Sequence, residues 1–263
     1  MRSCFSREVK LCENRIVCGI AGIISGTGLE LRIHAMTDAL RRRGPDAEGS
    51  ATWPGVALGH RRLAIIDLSD AARQPMLSAD GEIGLVFNGC IYNFTELRKD
   101  LEQLGCEFRS HSDTEVLIHG YRVWGIDCLV RRLRGMFAFG LWDQAKRTLI
   151  LVRDRMGVKP LLYSHLEDRG IAFASTAKAL DAAGLAGEVN PGAVLEYLEF
   201  GYITDNSCIF ERLHKLPAAS ILQWCDNKTE IRSYWSLPPS GVQSRMRFDD
   251  AVEKTEALIL DAV

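Results

Sequence analysis

The sequence predicts an α+β fold. Two observations support this prediction: apolar strand patterns occur in runs, and helical patterns stand between the runs. This layering differs from the regular strand–helix–strand alternation that builds a parallel sheet. The 263 residues suffice for one large domain, or for one domain with a fragment of another.

The first third of the chain carries three strand patterns and one helical pattern. Apolar runs predict strands at Gly19–Ile24, residues 56–67 and residues 83–87, and an amphipathic pattern predicts a helix at residues 29–42. Gly44-Pro45 closes that helix, since proline cannot continue it. Asn88-Gly89 predicts a tight turn after the third strand, because glycine adopts backbone angles that other residues resist.

The remainder carries a second run of strands with helices on both sides. Helical patterns cover residues 94–104, 113–124 and 126–133, and Ser112 or Asp113 is the expected N-cap of the second. Strand patterns follow at residues 136–142, Thr148–Arg153, 160–165 and Ile171–Ala174, with hairpin turns at 143–146 and 167–170. Then come a helix at 190–200, a strand at 216–224, a proline-rich linker at 237–241 and a last helix at 249–263.

Composition narrows the classes of function. The chain is 47% hydrophobic and 25% charged with a formal net charge of -2, which gives no electrostatic reason to bind nucleic acid or an anionic membrane. The eight cysteines are scattered, without a C-x-x-C pair or zinc spacing, which predicts reduced thiols, no metal site and a cytoplasmic protein. No apolar run reaches the roughly 18 residues of a spanning helix. A secretory signal is disfavoured because Glu8 and Glu13 interrupt the basic region before the apolar stretch at 16–24.

Several residues have the chemistry for amide hydrolysis, which needs a nucleophile, a base, oxyanion donors and groups that hold the substrate. Cys18, in Cys-Gly-Ile-Ala-Gly-Ile, offers a thiolate, the best side-chain nucleophile near neutral pH. An arginine in Gly-His-Arg-Arg-Leu suits a carboxylate, because a guanidinium donates paired hydrogen bonds. Taken alone, Asn88-Gly89 also fits a plain hairpin turn, and Asp113 a helix N-cap.

Together and in order, these segments resemble the glutaminase half of glutamine-hydrolysing asparagine synthetases, which are class II (N-terminal nucleophile) amidotransferases. The resemblance covers the chain from Cys18 to its end. Besides the segment at Cys18, it rests on residues 43–46 (Arg-Gly-Pro-Asp), 59–63, 86–93, 112–115, 134–139 and 153–160.

The resemblance implies a four-layer αββα sandwich of the N-terminal nucleophile hydrolase type. It also implies that Cys18 is the nucleophile and that its own α-amino group is the base. The side-chain N–H of Asn88 and the backbone N–H of Gly89 would stabilise the oxyanion. The 153–155 segment (Arg-Asp-Arg) is expected to make buried structural hydrogen bonds and is not assigned to catalysis.

For glutamine itself, the resemblance implies that Arg62 binds the α-carboxylate and Asp113 the α-ammonium. Arg61 is the neighbour most easily confused with Arg62. Leu63 and Ile65 are the expected walls of the pocket. One position departs from the family: Cys90 stands where the family usually has a glutamate as second partner for the ammonium. Losing that charged hydrogen bond would weaken glutamine binding by roughly 1.5–3 kcal/mol.

An α-amino base requires Cys18 to be the first residue of the mature chain, and residues 1–17 precede it here. Two explanations are open. Val17 could come from a GTG initiation codon, so that the start was placed too early, or residues 1–17 could be a propeptide. In the remaining alternative the extension is retained and Cys18 is an inert buried thiol.

The sequence thus divides into an extension (1–17), a glutaminase domain (18–232), and a linker with the first helix of a synthetase domain (233–263). The implied function is hydrolysis of L-glutamine to glutamate and ammonia, for ATP-dependent amidation of aspartate to asparagine. This chain is expected to need no cofactor; ATP and Mg belong to the synthetase domain, whose Ser-Gly-Gly-x-Asp-Ser signature does not occur here.

Two alternative functions stay open: amidation of a different carboxylate acceptor, and a non-catalytic glutamine-sensing module. Expected partners are L-glutamine, the synthetase domain and a second copy in a homodimer, without nucleic acid or membrane.

Overall fold

The computed structural model describes residues 17–63, 67, 69–239 and 246–262. Its strands are β1 (Gly19–Ile24), β2 (Ala47–Trp53), β3 (Val56–Arg62), β4 (Met76–Leu77), β5 (Ile83–Ile91), β6 (Gly135–Asp143), β7 (Thr148–Arg153), β8 (Leu162–His165), β9 (Ile171–Ala174), β10 (His214–Lys215), β11 (Ser220–Cys225) and β12 (Lys228–Ser233). Its helices are α1 (Leu29–Ala39), α2 (Phe94–Gln103), α3 (Asp113–Arg132), α4 (Ala177–Ala182), α5 (Pro191–Phe200) and α6 (Phe248–Ala262).

The strands form two antiparallel six-stranded sheets. The first has the order β10-β8-β9-β1-β3-β2, and the second has the order β12-β11-β7-β6-β5-β4. One apolar cluster lies between the sheets and includes Ile20, Leu58, Val86, Trp142 and Phe173. This inner layer is where the two sheets pack face to face.

Helices cover the outer face of each sheet. Ile23 and Ala57 of the first sheet pack against Met36 of α1 and Leu180 of α4. On the second sheet, Phe87, Phe139 and Val152 pack with residues of α2 and α3 such as Leu101 and Leu117. The layers are therefore helix, sheet, sheet and helix, and the predicted α+β αββα sandwich is confirmed.

Most predicted elements of the sandwich are present with small shifts at their ends. Strands β1, β7 and β9 have the predicted limits, and β6, β8 and β11 differ by a few residues. The two helices predicted at 113–124 and 126–133 are joined in α3, where Gly125 breaks the helix with φ 71 and ψ 168. Helix α1 ends at Ala39 rather than at residue 42, because the N–H groups of Leu40 and Arg41 bond three residues back and tighten the chain into turns.

The predicted turn at Asn88-Gly89 is wrong. Strand β5 does not stop at Phe87 but continues to Ile91, and Asn88 and Gly89 pair with β6. Glycine is needed there for close approach: a Cβ atom on Gly89 would lie 2.3 Å from the carbonyl oxygen of Met136. Strand β3 ends at Arg62, so Leu63 does not continue the strand predicted at 56–67, and residues 64–66 of that prediction lie outside the described residues.

Strands β2, β4, β10 and β12 and helix α4 were not predicted from the sequence. Strands β2 and β12 lie at sheet edges, and their half-exposed polar sequences lack a clear apolar signal. Strands β4 and β10 have only two residues each. Among the described residues, the helices are all too short or too polar to cross a membrane. The six cysteines within the described part of the chain are free thiols.

Candidate active site

The site begins at one end of the inner layer, where β1 and β3 lie side by side. Side chains two residues apart in a strand share a face. Ile20 and Leu58 pack between the sheets, so Cys18 and Arg62 face the same layer. Extending the β1–β3 register by one pair brings Cys18 opposite Arg62.

Successive side chains of β3 point to opposite faces of the sheet, so Arg61 and Arg62 face different layers. Arg61 points to the outer face, where its Nε donates to the carbonyl of Thr37 at 3.0 Å and its guanidinium lies 2.7 Å from Glu48. Arg62 instead lines the inner cavity. Its guanidinium donates to the backbone carbonyls of Ser69, at 3.1 Å, and of Asp67. These bonds hold the arginine at the cavity wall.

The thiol of Cys18 is held by the residue that follows Arg62. The backbone N–H of Leu63 donates to Cys18 Sγ at 3.3 Å, and the thiol lies 3.6 Å from the Leu63 carbonyl oxygen. Arg43 Nε donates to the carbonyl of Cys18 at 3.2 Å. Burial raises the pKa of the Cys18 thiol, while the Leu63 hydrogen bond and the charges of Arg62 and Arg43 oppose that rise.

Asn88 approaches the cavity from the second sheet. Its side chain is on the same face of β5 as Val86, which packs between the sheets. Asn88 is buried, and its Nδ2 has no hydrogen-bond partner among the described residues. Buried donors are nearly always paired. A buried amide donor without a partner, at the wall of a cavity that holds a thiol, is therefore available to a ligand.

Gly89 contributes a backbone donor. Phe137, its partner in β6, gives its own N–H to Asp154 Oδ2 at 3.2 Å and accepts from the Asp154 N–H at 2.8 Å. Phe137 therefore points its peptide groups away from β5, which makes Gly89–Phe137 a non-hydrogen-bonded pair. The N–H of Gly89 consequently points away from β6, and Gly89 lines the cavity.

A buried carboxylate stands at the start of α3. Asp113 Oδ2 accepts the N–H of Ile91 at 2.9 Å, and burial raises the pKa of this carboxyl. The N-cap of the helix is Ser112, whose Oγ accepts the N–H of Thr114 at 3.1 Å. Asp113 is thus the first helical residue rather than the cap, and it lines the cavity.

These groups surround one cavity of about 310 Å³. Of the predicted site residues, it brings together Cys18, Arg62, Leu63, Asn88, Gly89 and Asp113. Ile65 lies outside the described residues. Cys90 also lines the cavity, and burial and the charge of Asp113 raise the pKa of its thiol.

The cavity residues that were not predicted from the sequence include Gln74 and Lys159. Gln74 comes from the loop before β4, where no motif marks it. Lys159 belongs to the 153–160 segment, and its backbone is fixed by Asp154 Oδ2, 2.9 Å from its N–H, and by Arg153 Nε, 3.0 Å from its carbonyl oxygen. Arg153 and Asp154 thus have the structural role expected of them. Burial and the charge of Arg43 lower the pKa of Lys159.

The cavity combines a thiol, two N–H donors, a guanidinium and a carboxylate. A thiol beside two donors can attack a carbonyl and stabilise the resulting oxyanion. Separate cationic and anionic groups can hold the two charges of a free amino acid. The fold is an αββα sandwich, and its cavity holds the groups that amide hydrolysis by a cysteine needs.

Comparison with known proteins identifies the family. Residues 17–235 match the glutamine amidotransferase domain, so the chain belongs to the glutamine amidotransferase family, class II. It is 34% identical over 255 residues to asparagine synthetase (glutamine-hydrolyzing) 3 of Bacillus subtilis, covering 94% of this chain and 41% of the relative. It is 31% identical over 269 residues to amidase chry2 of Gibberella zeae, covering 94% and 39%. The chain thus spans about two fifths of the length of these relatives.

A solved structure supports the fold. Glutamine phosphoribosylpyrophosphate amidotransferase from B. subtilis, in complex with ADP and GMP, superposes with a TM-score of 0.64. The match covers 83% of this chain and 49% of that one at 21% sequence identity. At this identity the likeness concerns the fold alone.

Proposed function

We propose that this chain hydrolyses the side-chain amide of L-glutamine to glutamate and ammonia. One observation supports this most: the cavity is lined by the Cys18 thiol, by Asn88, whose Nδ2 has no partner within the described part of the chain, and by Gly89, whose N–H points away from β6. In the proposed reaction, Cys18 Sγ attacks the amide carbon, and the two donors bind the oxygen as it gains charge. Each donor of this kind contributes about 2.7–4 kcal/mol to lowering the barrier.

The α-amino group of Cys18 is the proposed base. It takes the thiol proton and passes it to the departing nitrogen, so that ammonia leaves and a γ-glutamyl thioester remains. Water then attacks the thioester, which releases glutamate and restores the thiol. An α-amino group has a pKa of about 8 and is partly neutral at working pH. An amide nitrogen has no such basicity, so we propose that residues 1–17 are absent from the active form.

The α-carboxylate and the α-ammonium of glutamine each have a proposed partner in the cavity. Arg62 binds the α-carboxylate, because its guanidinium is fixed at the cavity wall and its five N–H donors exceed the two carbonyl contacts that it makes among the described residues. Asp113 is the proposed partner of the α-ammonium: Oδ2 accepts the N–H of Ile91 at 2.9 Å and Oδ1 accepts the Ser112 hydroxyl at 3.4 Å, and each carboxylate oxygen has a second lone pair that can accept a further hydrogen bond. Leu63 and Ile65 are the proposed apolar walls.

Ammonia detection tests the glutaminase proposal. The form that begins at Cys18 should release ammonia from L-glutamine, and Cys18→Ala should abolish release. If the form that begins at Cys18 binds glutamine without releasing ammonia, this result would contradict hydrolysis and favour the alternative of a non-catalytic sensing module.

The proposed fate of the ammonia is amidation of aspartate to asparagine, with ATP and Mg bound by a carboxy-terminal synthetase domain. The asparagine synthetase relatives support this acceptor. The second candidate is another carboxylate acceptor, which the departure at Cys90 and the amidase chry2 relative favour. Assaying the whole protein with ATP, Mg and aspartate, and then with other carboxylates, distinguishes the two. The proposed location is cytoplasmic, which the free cysteines favour. The proposed assembly is a homodimer.

A further inference from the structure

The backbone N–H and C=O of Phe87 in β5 point away from β6, towards an edge of the sheet that β4 covers only in part. Strand β4 pairs with β5 only at Leu85 and Gly84, so Phe87 lies beyond the last pair. Buried backbone groups need hydrogen-bond partners. Two side chains supply them: Gln74 Oε1 accepts the N–H of Phe87 at 2.6 Å, and His60 Nε2 lies 3.2 Å from its carbonyl oxygen.

The same edge continues to Ile91. Alternate residues of an antiparallel strand direct their peptide groups to the same side. After Phe87 the next such residue is Gly89, and the next is Ile91, whose N–H is bonded to Asp113 Oδ2 at 2.9 Å. On both sides of Gly89, side chains therefore make the hydrogen bonds that a neighbouring strand would otherwise make. The N–H of Gly89 between them faces the cavity.

His60 is fully buried in the interior next to this edge. Burial lowers the pKa of His60 to about 3, so its ring is neutral at working pH. Since its partner is a carbonyl oxygen, Nε2 carries the proton, and Nδ1 has no partner among the described residues. A buried polar ring with one unsatisfied nitrogen costs stability that an apolar side chain would not. The Nε2 hydrogen bond goes to the peptide that joins Phe87 to Asn88.

We propose that His60 and Gln74 are positioning residues for the oxyanion donors. By fixing both peptide groups of Phe87, they set the direction of the Asn88 side chain and of the Gly89 N–H. This inference rests on the proposed glutamine hydrolysis, in which those two donors bind the oxyanion. Neither His60 nor Gln74 contacts the reacting atoms in this scheme.

Kinetics of matched variants test the proposal. His60→Met removes the donor, and His60→Gln keeps an N–H of similar reach. His60→Met should lower kcat about tenfold with KM within about twofold, a smaller effect than the roughly 100- to 1,000-fold of deleting an oxyanion donor. His60→Gln should recover most of that loss. Gln74→Met, which removes the acceptor for Phe87, should reproduce the kcat loss if His60→Met does not fold.

The rate at which iodoacetamide alkylates Cys18 distinguishes an effect on the oxyanion donors from a general loss of structure at the site. This displacement forms no oxyanion, so its rate should change by less than about twofold in the same variants, although kcat falls about tenfold. Wild-type kcat in both Met variants would overturn the proposal. An alkylation rate that falls in parallel with kcat would do the same, since it would place the effect at the thiol or the fold.

Amide hydrogen exchange gives a readout that needs no activity. In the full chain, the N–H groups of Phe87 and Ile91 should be protected and that of Gly89 should exchange faster. Gln74→Met should remove protection at Phe87 and leave it at Ile91. Equal protection at Phe87 and Gly89, or no change in the variant, would refute the positioning role. Absence of glutaminase activity together with the expected exchange pattern would instead refute only the proposed function.

Discussion

Replacing Asn88 with alanine should separate catalysis from stability. The Nδ2 of Asn88 is buried without a partner among the described residues, so its removal breaks no protein hydrogen bond on that side. A buried unsatisfied donor costs about 1–3 kcal/mol, which offsets part of the packing lost with the side chain. As an oxyanion donor, the same group is worth about 2.7–4 kcal/mol in the barrier, or roughly 100- to 1,000-fold in kcat.

The assay is steady-state ammonia release from glutamine, run beside thermal unfolding. For Asn88→Ala we expect kcat to fall roughly 100- to 1,000-fold while Tm drops by only a few degrees, about 2–4 °C for each kcal/mol. Asn93 is the matched control: its Nδ2 donates to Arg132 at 3.0 Å and its Oδ1 accepts from Arg134 at 2.9 Å, away from the cavity. Asn93→Ala should lower Tm and leave kcat within about twofold, since it loses two bonds worth about 1 kcal/mol each. A large Tm loss with wild-type kcat in Asn88→Ala would refute the reasoning.

Three further predictions concern binding and pH. Arg62→Lys should raise KM for glutamine tenfold or more, because a charged hydrogen bond is worth about 1.5–3 kcal/mol, whereas Arg61→Lys on the outer face should leave KM within about twofold. Cys90→Glu should lower KM for glutamine by adding a carboxylate near Asp113, and an unchanged or higher KM would count against this. Glu115 is buried, which raises its pKa, but hydrogen bonds from His119, the N–H groups of Arg109 and Ser110, and the Ser110 hydroxyl lower it from 4.5 to about 2. Its ionised form therefore adds stability that is present above pH 4.5 and lost as pH falls towards 2, so Glu115→Gln should flatten urea-unfolding stability across that window.

The layers of the fold were predictable because the buried strands and amphipathic helices have strong apolar periods. The edge strands were not, since every residue of β2 and β12 is half-buried or exposed and gives no run of buried apolar positions. Asn88-Gly89 shows the limit of local rules most clearly. Asn-Gly favours a turn in isolation, but pairing with β6 overrides that preference and needs glycine for a different reason, the 2.3 Å approach of the Met136 carbonyl oxygen.

The sequence predicted those site residues that have suitable chemistry and also belong to recognisable segments. Cys18, Arg62 and Asp113 belong to recognisable segments, and the parity of β3 explains why Arg62 rather than Arg61 reaches the cavity. Gln74 and His60 were not predictable as a pair. Their common partner is the backbone of Phe87, and only the short length of β4 leaves that backbone open.

The free amino group of Cys18 is the centre of the proposed mechanism, and Val17 lines the same cavity. The most direct measurement is the glutaminase kcat of two purified forms whose first residue is established by intact mass, one beginning at Cys18 and one retaining Val17. The account predicts turnover in the first and a loss of at least about 100-fold in the second, the lower end of what a positioned general base contributes. Equal turnover in the two forms would contradict it.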